Sequence, residues 1–278
     1  MTIAGADTRI VRAGDGTFSY LESGSGPALV LLHGIGSAAA SFRHQLEALS
    51  TRFRVAAWDA PGYGASTPLA IEHPDASDYA AALDAWLGAL GIDRCHLVGQ
   101  SLGTLIAARF AAEQPRRVLS LTLAGIAKGH GRLPPPERQR LLAQRLDDLT
   151  QLGPQVMAAK RGPRLLGPGA TETMRRRVIE IMARIPAEGY AQAARMLSTG
   201  DITADLARLP PGLPIEIIVG QADVITPPAG NLEIAAALPA ASAHVIPGAG
   251  HALYLEKPEE FSRLVSDFAA THFGDDLK

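Results

Sequence analysis

The chain has 278 residues, 47% apolar and 19% charged, enough to bury a substantial core and too apolar for wholesale disorder. A formal net charge of −2 without a basic, aromatic-interleaved stripe argues against nucleic acid as a partner, and no run nears the roughly 20 apolar residues that span a bilayer. One cysteine excludes an intrachain disulfide and a cysteine-based zinc cluster, and MTIAGADTRIV lacks a basic-then-apolar leader, so a cytoplasmic protein is expected.

The first element is expected to be a hairpin over Arg9–Glu22, turning at Gly14-Asp15-Gly16, an Asp-Gly turn signal. Short runs rich in Val, Leu and Ile follow at Ala28–Leu32, Arg54–Trp58, Cys95–Gly99, Val118–Leu123, Ile215–Val219 and Ala243–Ile246. Helical stretches such as Tyr79–Leu90 and Ser101–Gln114 separate most of them. Apolar strands alternating with helices predict an α/β fold with a mostly parallel sheet covered on both faces. Cys95, on one of these strands, is expected to be a buried, inert thiol.

After the strand Ala28–Leu32 the chain reads His33-Gly34-Ile35-Gly36. Such a loop can turn sharply and aim the Ile35 amide at a developing oxyanion, with His33 holding the loop. After the strand ending at Trp58 comes Asp59, a carboxylate at the same sheet edge.

The segment Gly99-Gln100-Ser101-Leu102-Gly103 is a G-x-S-x-G pattern set between a strand and a helix. The flanking glycines permit the crowded turn that holds a serine hydroxyl clear of the sheet, which makes Ser101 the candidate nucleophile and the Leu102 amide the second oxyanion donor. A serine merely capping a strand–helix turn is the plainer reading of the motif taken alone.

From Lys128 to Arg208 the alternation stops. Several helices are expected there, punctuated by Gly153-Pro154, Gly162-Pro163 and Gly167-Pro168. The chain thus divides into a core, 1–127 and 209–278, and a helical cap, 128–208. The cap's formal charge is +6 against −8 for the rest. That excess could draw in anionic substrates, but solvated faces of amphipathic helices are the ordinary reading of such arginines.

A serine hydroxyl needs a base to accept its proton, and the base needs an acid to fix its tautomer. His251, in the glycine-rich loop after the last strand, is the candidate base; His44, His73, His130 and His272 are expected at the surface. Asp223, just past Ile215–Val219, is the candidate acid. Asp59 is its rival but precedes the serine, and the stretch Leu123–Ala127 holds no acid. Ser101, Asp223, His251 is the Ser…Asp…His order of α/β-hydrolases.

Together with Trp58-Asp59-Ala60-Pro61-Gly62-Tyr63-Gly64-Ala65-Ser66 and Gly250-His251-Ala252-Leu253-Tyr254-Leu255-Glu256-Lys257-Pro258, these segments resemble the α/β-hydrolase superfamily across nearly the whole chain. Within it the chain looks like the serine-nucleophile branch with a helical cap: esterases, enol-lactonases and meta-cleavage-product hydrolases. The resemblance implies hydrolysis of a small carboxylic ester or lactone, with no metal or organic cofactor. A carbon–carbon hydrolase acting on a vinylogous diketone is the rival, although Gln100 departs from the Asn or His of many such enzymes. A non-catalytic ligand-binding homologue is a third reading, against which the intact residue set counts. The expected partner is a small carbonyl compound, not nucleic acid or a membrane.

Overall fold

The computed structural model describes residues 7–239 and 241–272. Strands β1 (Arg9–Ala13) and β2 (Gly16–Ser23) form the expected hairpin, with Ala13 opposite Gly16 and Gly14 at φ 58° in the turn. Strands β3 (Ala28–Leu32), β4 (Arg54–Trp58), β5 (Cys95–Gln100), β6 (Val118–Ala124), β7 (Ile215–Gly220) and β8 (Ala241–Ile246) follow. They make one eight-stranded sheet in the order β1-β2-β4-β3-β5-β6-β7-β8, antiparallel only where β2 pairs with β1 and β4.

The inner strands read as largely apolar runs because both sheet faces are covered. Leu29 and Leu31 point to one side and Val30 and Leu32 to the other, each into a separate apolar cluster. Helices α1 (Arg43–Leu49) and α10 (Pro258–Ala270) cover the first face through Leu46, Leu49, Phe261 and Val265. Helices α2 (Ala76–Ala89) and α3 (Leu102–Glu113) cover the second through Leu83, Trp86, Leu105 and Phe110. Helix α2 starts earlier than its apolar periodicity suggests because Asp75 and Asp78 form a reciprocal capping box. Cys95 is fully buried, and burial pushes its thiol up to about 12, which keeps it protonated and inert.

Between β6 and β7 every regular element among the described residues is helical: α4 (Pro135–Arg161), a 3₁₀ turn Gly162–Leu165, α5 (Glu172–Met182), α6 (Ala187–Thr199) and α7 (Ile202–Leu206). The Gly-Pro pairs act as read: Gly153, at φ 71°, kinks α4, and Gly162 ends it. The chain then returns to the sheet and closes with α8 (Pro228–Ala236), α9 (Leu253–Glu256) and α10.

One carboxyl is buried away from the sheet's working edge. Glu216 on β7 lies beside Thr122, and burial pushes it up to about 8. The folded carboxyl keeps its proton to that pH, whereas the unfolded one releases it near 4.5, so stability falls as pH rises through that window. Glu216→Gln, uncharged throughout, is expected to melt above wild type at pH 8, with the gap closing toward pH 4.5, as thermal unfolding followed by circular dichroism would show.

Candidate active site

The strand order reverses between β3 and β5, and the loops leaving the carboxyl ends of β3, β5, β6, β7 and β8 converge there, where open α/β sheets place their sites. Ser101 sits between β5 and α3 at φ 52°, ψ −117°, the only non-glycine with positive φ among the described residues. Both flanking glycines are required sterically. A Cβ on Gly99 would collide with the Gly103 carbonyl, and one on Gly103 with the carbonyl of Leu32. Gly34 must be glycine for a related reason, since a Cβ there would lie 2.7 Å from Gln100 Oε1 and 2.9 Å from Ser101 Cβ.

Ser101, Ile35, Leu102 and His251 border one cavity of about 340 Å³. Asp223 lies behind His251, its Oδ2 accepting from Nδ1 at 2.8 Å. The same oxygen accepts from the Thr226 hydroxyl at 2.7 Å, and Oδ1 accepts from the amides of Ile225 (2.8 Å) and Thr226 (2.9 Å). Burial alone would raise the Asp223 carboxyl, but the bonds from His251 and Thr226 outweigh it and hold the group below the ordinary value, hence ionised. Gly125, where Leu123–Ala127 lacks an acid, packs under this pair: a Cβ would stand 3.3 Å from His251 Nδ1 and 3.4 Å from Asp223 Oδ2. The rival Asp59 is spent structurally, accepting from the Ala39 amide at 2.9 Å and the Ser19 hydroxyl at 2.7 Å.

The two candidate oxyanion amides are fixed from behind. In a trans peptide the C=O and the following N–H point in opposite directions. The carbonyl preceding the Ile35 amide, Gly34 O, accepts from His33 Nδ1 (2.9 Å) and Ser37 N (3.1 Å). The carbonyl preceding the Leu102 amide, Ser101 O, accepts from Thr104 N (2.9 Å) and the Thr104 hydroxyl (2.6 Å). Each carbonyl is pinned by two donors, so each amide is turned the other way, and neither donates to another group among the described residues. His33 also accepts from the Ala60 amide at 3.0 Å, and burial lowers its pKa, which keeps the ring neutral with Nδ1 as donor. The loop-holding role expected of His33 therefore has a definite content: it orients the Ile35 peptide.

Several contributors escaped the sequence reading. Thr226 was a helix-start residue there, yet its hydroxyl braces Asp223 and lies 3.1 Å from His251 Nδ1. Gln100, read only as a departure from relatives, donates to the His251 carbonyl at 3.2 Å and so ties the histidine loop to the elbow. Two corrections concern the helical segment. His130, expected at the surface with His44, His73 and His272, borders the cavity and has a buried Nδ1 without a hydrogen-bond partner among the described residues. Arg145, Arg161 and Arg164, read as solvated faces, border the cavity as well. A residue's facing depends on how the helices pack, which one-dimensional charge counts do not encode. Among the described residues no group of three or more His, Cys, Asp or Glu could hold a metal ion, and no helix is long and apolar enough to cross a membrane.

A mostly parallel eight-stranded sheet with a strained serine elbow and a loop histidine defines a class of fold. Residues 27–258 match the family model described as alpha/beta hydrolase fold, and the chain belongs to that family. It is 31% identical to a pimeloyl-[acyl-carrier protein] methyl ester esterase from Chromobacterium violaceum, over 89% of this chain and 96% of that protein. It is also 31% identical to a 2-hydroxy-6-oxononadienedioate/2-hydroxy-6-oxononatrienedioate hydrolase from Pseudomonas putida, over 90% of each. Among solved structures it superposes with a TM-score of 0.83 on a thermophilic esterase from Thermogutta terrifontis, at 25% identity, covering 97% of this chain and all of that one.

The histidine loop is also stitched to the helical segment. Glu256 accepts from the Gly250 amide at 2.8 Å and, through its other oxygen, from the Gly167 amide at 2.7 Å, while the Ala252 amide donates to Leu165 O at 2.8 Å. Glu256→Ala leaves two buried amides without their acceptor and is expected to cost about 1–3 kcal/mol, read as a lower urea midpoint at unchanged m. Amide hydrogen exchange should speed up at Gly167 and Gly250 before the sheet is affected.

Proposed function

We propose that this α/β-fold hydrolase cleaves a small carboxylic ester or lactone through an acyl-enzyme on Ser101, with His251 as general base and acid and Asp223 as its orienting carboxylate. The observation that carries the reading is the strained Ser101 elbow opening into a cavity shared with a histidine whose Nδ1 is bonded to a buried, multiply bonded aspartate. Similarity to two hydrolases at 31% identity supports it.

His251 takes the Ser101 proton as Oγ attacks the carbonyl carbon, and the amides of Ile35 and Leu102 meet the negative oxygen. Asp223 holds Nδ1–H and stabilises the imidazolium. The tetrahedral adduct collapses, His251 passes its proton to the leaving oxygen, and the acyl group remains on Ser101. The same imidazole then deprotonates a water that attacks the acyl ester, releasing the acid and returning the proton to Ser101. Segment 128–208 serves as the cap over this chemistry and supplies much of the cavity wall. No step calls for a metal or an organic cofactor.

A second reading uses the same residues to hydrolyse a carbon–carbon bond in a vinylogous diketone, and the likeness to the Pseudomonas putida enzyme favours keeping it. Turnover of a ring-cleavage dienoate beside a p-nitrophenyl ester separates the two.

Wild type is expected to hydrolyse p-nitrophenyl butyrate and to be labelled by a fluorophosphonate, whereas Ser101→Ala, shown folded by circular dichroism, loses at least roughly a thousandfold in kcat/KM and all labelling. An unlabelled wild type inert toward esters, lactones and dienoates would leave only the ligand-binding reading. Thr104→Val removes one of the two bonds that turn the Leu102 amide, so kcat is expected to fall about tenfold with KM nearly unchanged, and Thr104→Ser to restore most of it.

A further inference from the structure

The cavity wall carries charge of one sign. Lys128, Arg145, Arg161 and Arg164 border it with His130, and no Asp or Glu does among the described residues. Two of these cations are already matched: Arg161 Nε donates to Asp148 at 3.1 Å, and Lys128 lies 3.1 Å from Glu233 in an exposed pair. Arg145 and Arg164 make no ion pair among the described residues. Arg164 is exposed at the rim, and Arg145 is half-buried on α4.

Arg145 lies near enough to His130 and to the buried Tyr63 for its charge to act on both; with burial as the larger cause, it helps hold His130 below its ordinary value. The backbone fixes His130 in place, since its amide donates to Leu197 O at 3.0 Å and the next amide to Gly200 O at 2.8 Å. His130 thus borders the cavity beside an unpaired guanidinium, with its own Nδ1 buried in the protein. A half-buried cation without a counter-ion carries a desolvation cost that a bound anion offsets. The wall also includes the apolar Ile126, Leu165, Met182 and Leu197, which suit a short hydrocarbon spacer.

We propose that the substrate bears, besides its reacting carbonyl, a carboxylate that seats on Arg145, with Arg164 at the rim drawing it in. The substrate class is then a half-ester of a short dicarboxylic acid. This deepens the acyl-transfer reading and rests on it for the placement of the carbonyl at Ser101. A guanidinium grips a carboxylate through two parallel charge-assisted bonds, which fixes orientation as well as affinity.

The test compares mono-p-nitrophenyl glutarate with p-nitrophenyl pentanoate, which shares its acyl length but lacks the charge. Wild type is expected to prefer the half-ester by about tenfold or more in kcat/KM, less at high salt. Arg145→Met should lower the half-ester-to-pentanoate ratio about ten- to a hundredfold, and Arg145→Lys should retain part of the preference. Binding of monomethyl glutarate to Ser101→Ala, followed by calorimetry with and without Arg145→Met, reads the site independently of turnover. Serine-dependent pentanoate hydrolysis with no charge preference and no Arg145-dependent binding overturns the carboxylate site and leaves the esterase reading standing. Arg145-dependent binding without turnover of either ester overturns the acyl-transfer reading and keeps the anion site. A misfolded Arg145→Met, detected by circular dichroism, transfers the comparison to Arg145→Lys and to the salt dependence of wild type; absence of any preference there also overturns the proposal.

Discussion

The backbone of Ser101 is the constraint on which the rest of the site depends. A non-glycine residue at φ 52° sits in a region costing about 1–3 kcal/mol, so surrounding bonds must hold it there. Its amide is bonded to Ala124 O on the neighbouring strand at 2.9 Å, and its carbonyl takes two donors from Thr104. That strain lifts the side chain off the sheet into the cavity and, through peptide planarity, also sets the direction of the Leu102 amide. One conformational choice thereby positions both a hydroxyl and a candidate oxyanion donor. The glycines at 34, 99 and 103 are its steric corollary, because the elbow brings three backbone segments closer than a Cβ permits.

Around that elbow, short polar bonds join loops that come from different strands. Gln100 reaches the His251 carbonyl, Asn231 accepts from the Ile126 amide at 2.7 Å and donates to Thr226 O at 2.9 Å, and Glu256 links Gly250 to Gly167. Buried loop amides and carbonyls need partners, and here the partners belong to neighbouring loops, so each loop's position is set by another. The ionised Asp223 is the extreme case: four donors hold its charge where burial alone would neutralise it. A site assembled this way holds its geometry before a substrate arrives, which is what electrostatic stabilisation of a transition state requires.

The helical segment contributes a different quantity, the electrostatic character of the space. Its breaks at Gly153 and Gly162 fold α4 and the following 3₁₀ turn back so that Arg145, Arg161 and Arg164 all reach the cavity. Only one of the three is matched by a carboxylate among the described residues. The proposed preference for a carboxylate follows from this remainder rather than from the segment's total charge, since most of its basic residues stand elsewhere.

The sequence by itself determined the sheet, the elbow and the order of the candidate residues. Each rests on local physics: apolar runs of strand length, glycines where a turn admits no Cβ, and Gly-Pro pairs where a helix must stop. Ser101, His251 and Asp223 stood out as candidates because each follows a strand whose end the apolar pattern marks. Tertiary structure alone decided that Asp59 is consumed by Ser19 and Ala39, that Thr226 braces Asp223 and Gln100 the His251 loop, and that His130 and Arg145 border the cavity. Most of those facts turn on which loops and helix faces meet across distances of 20 to 151 residues in the chain, and no local periodicity records such meetings.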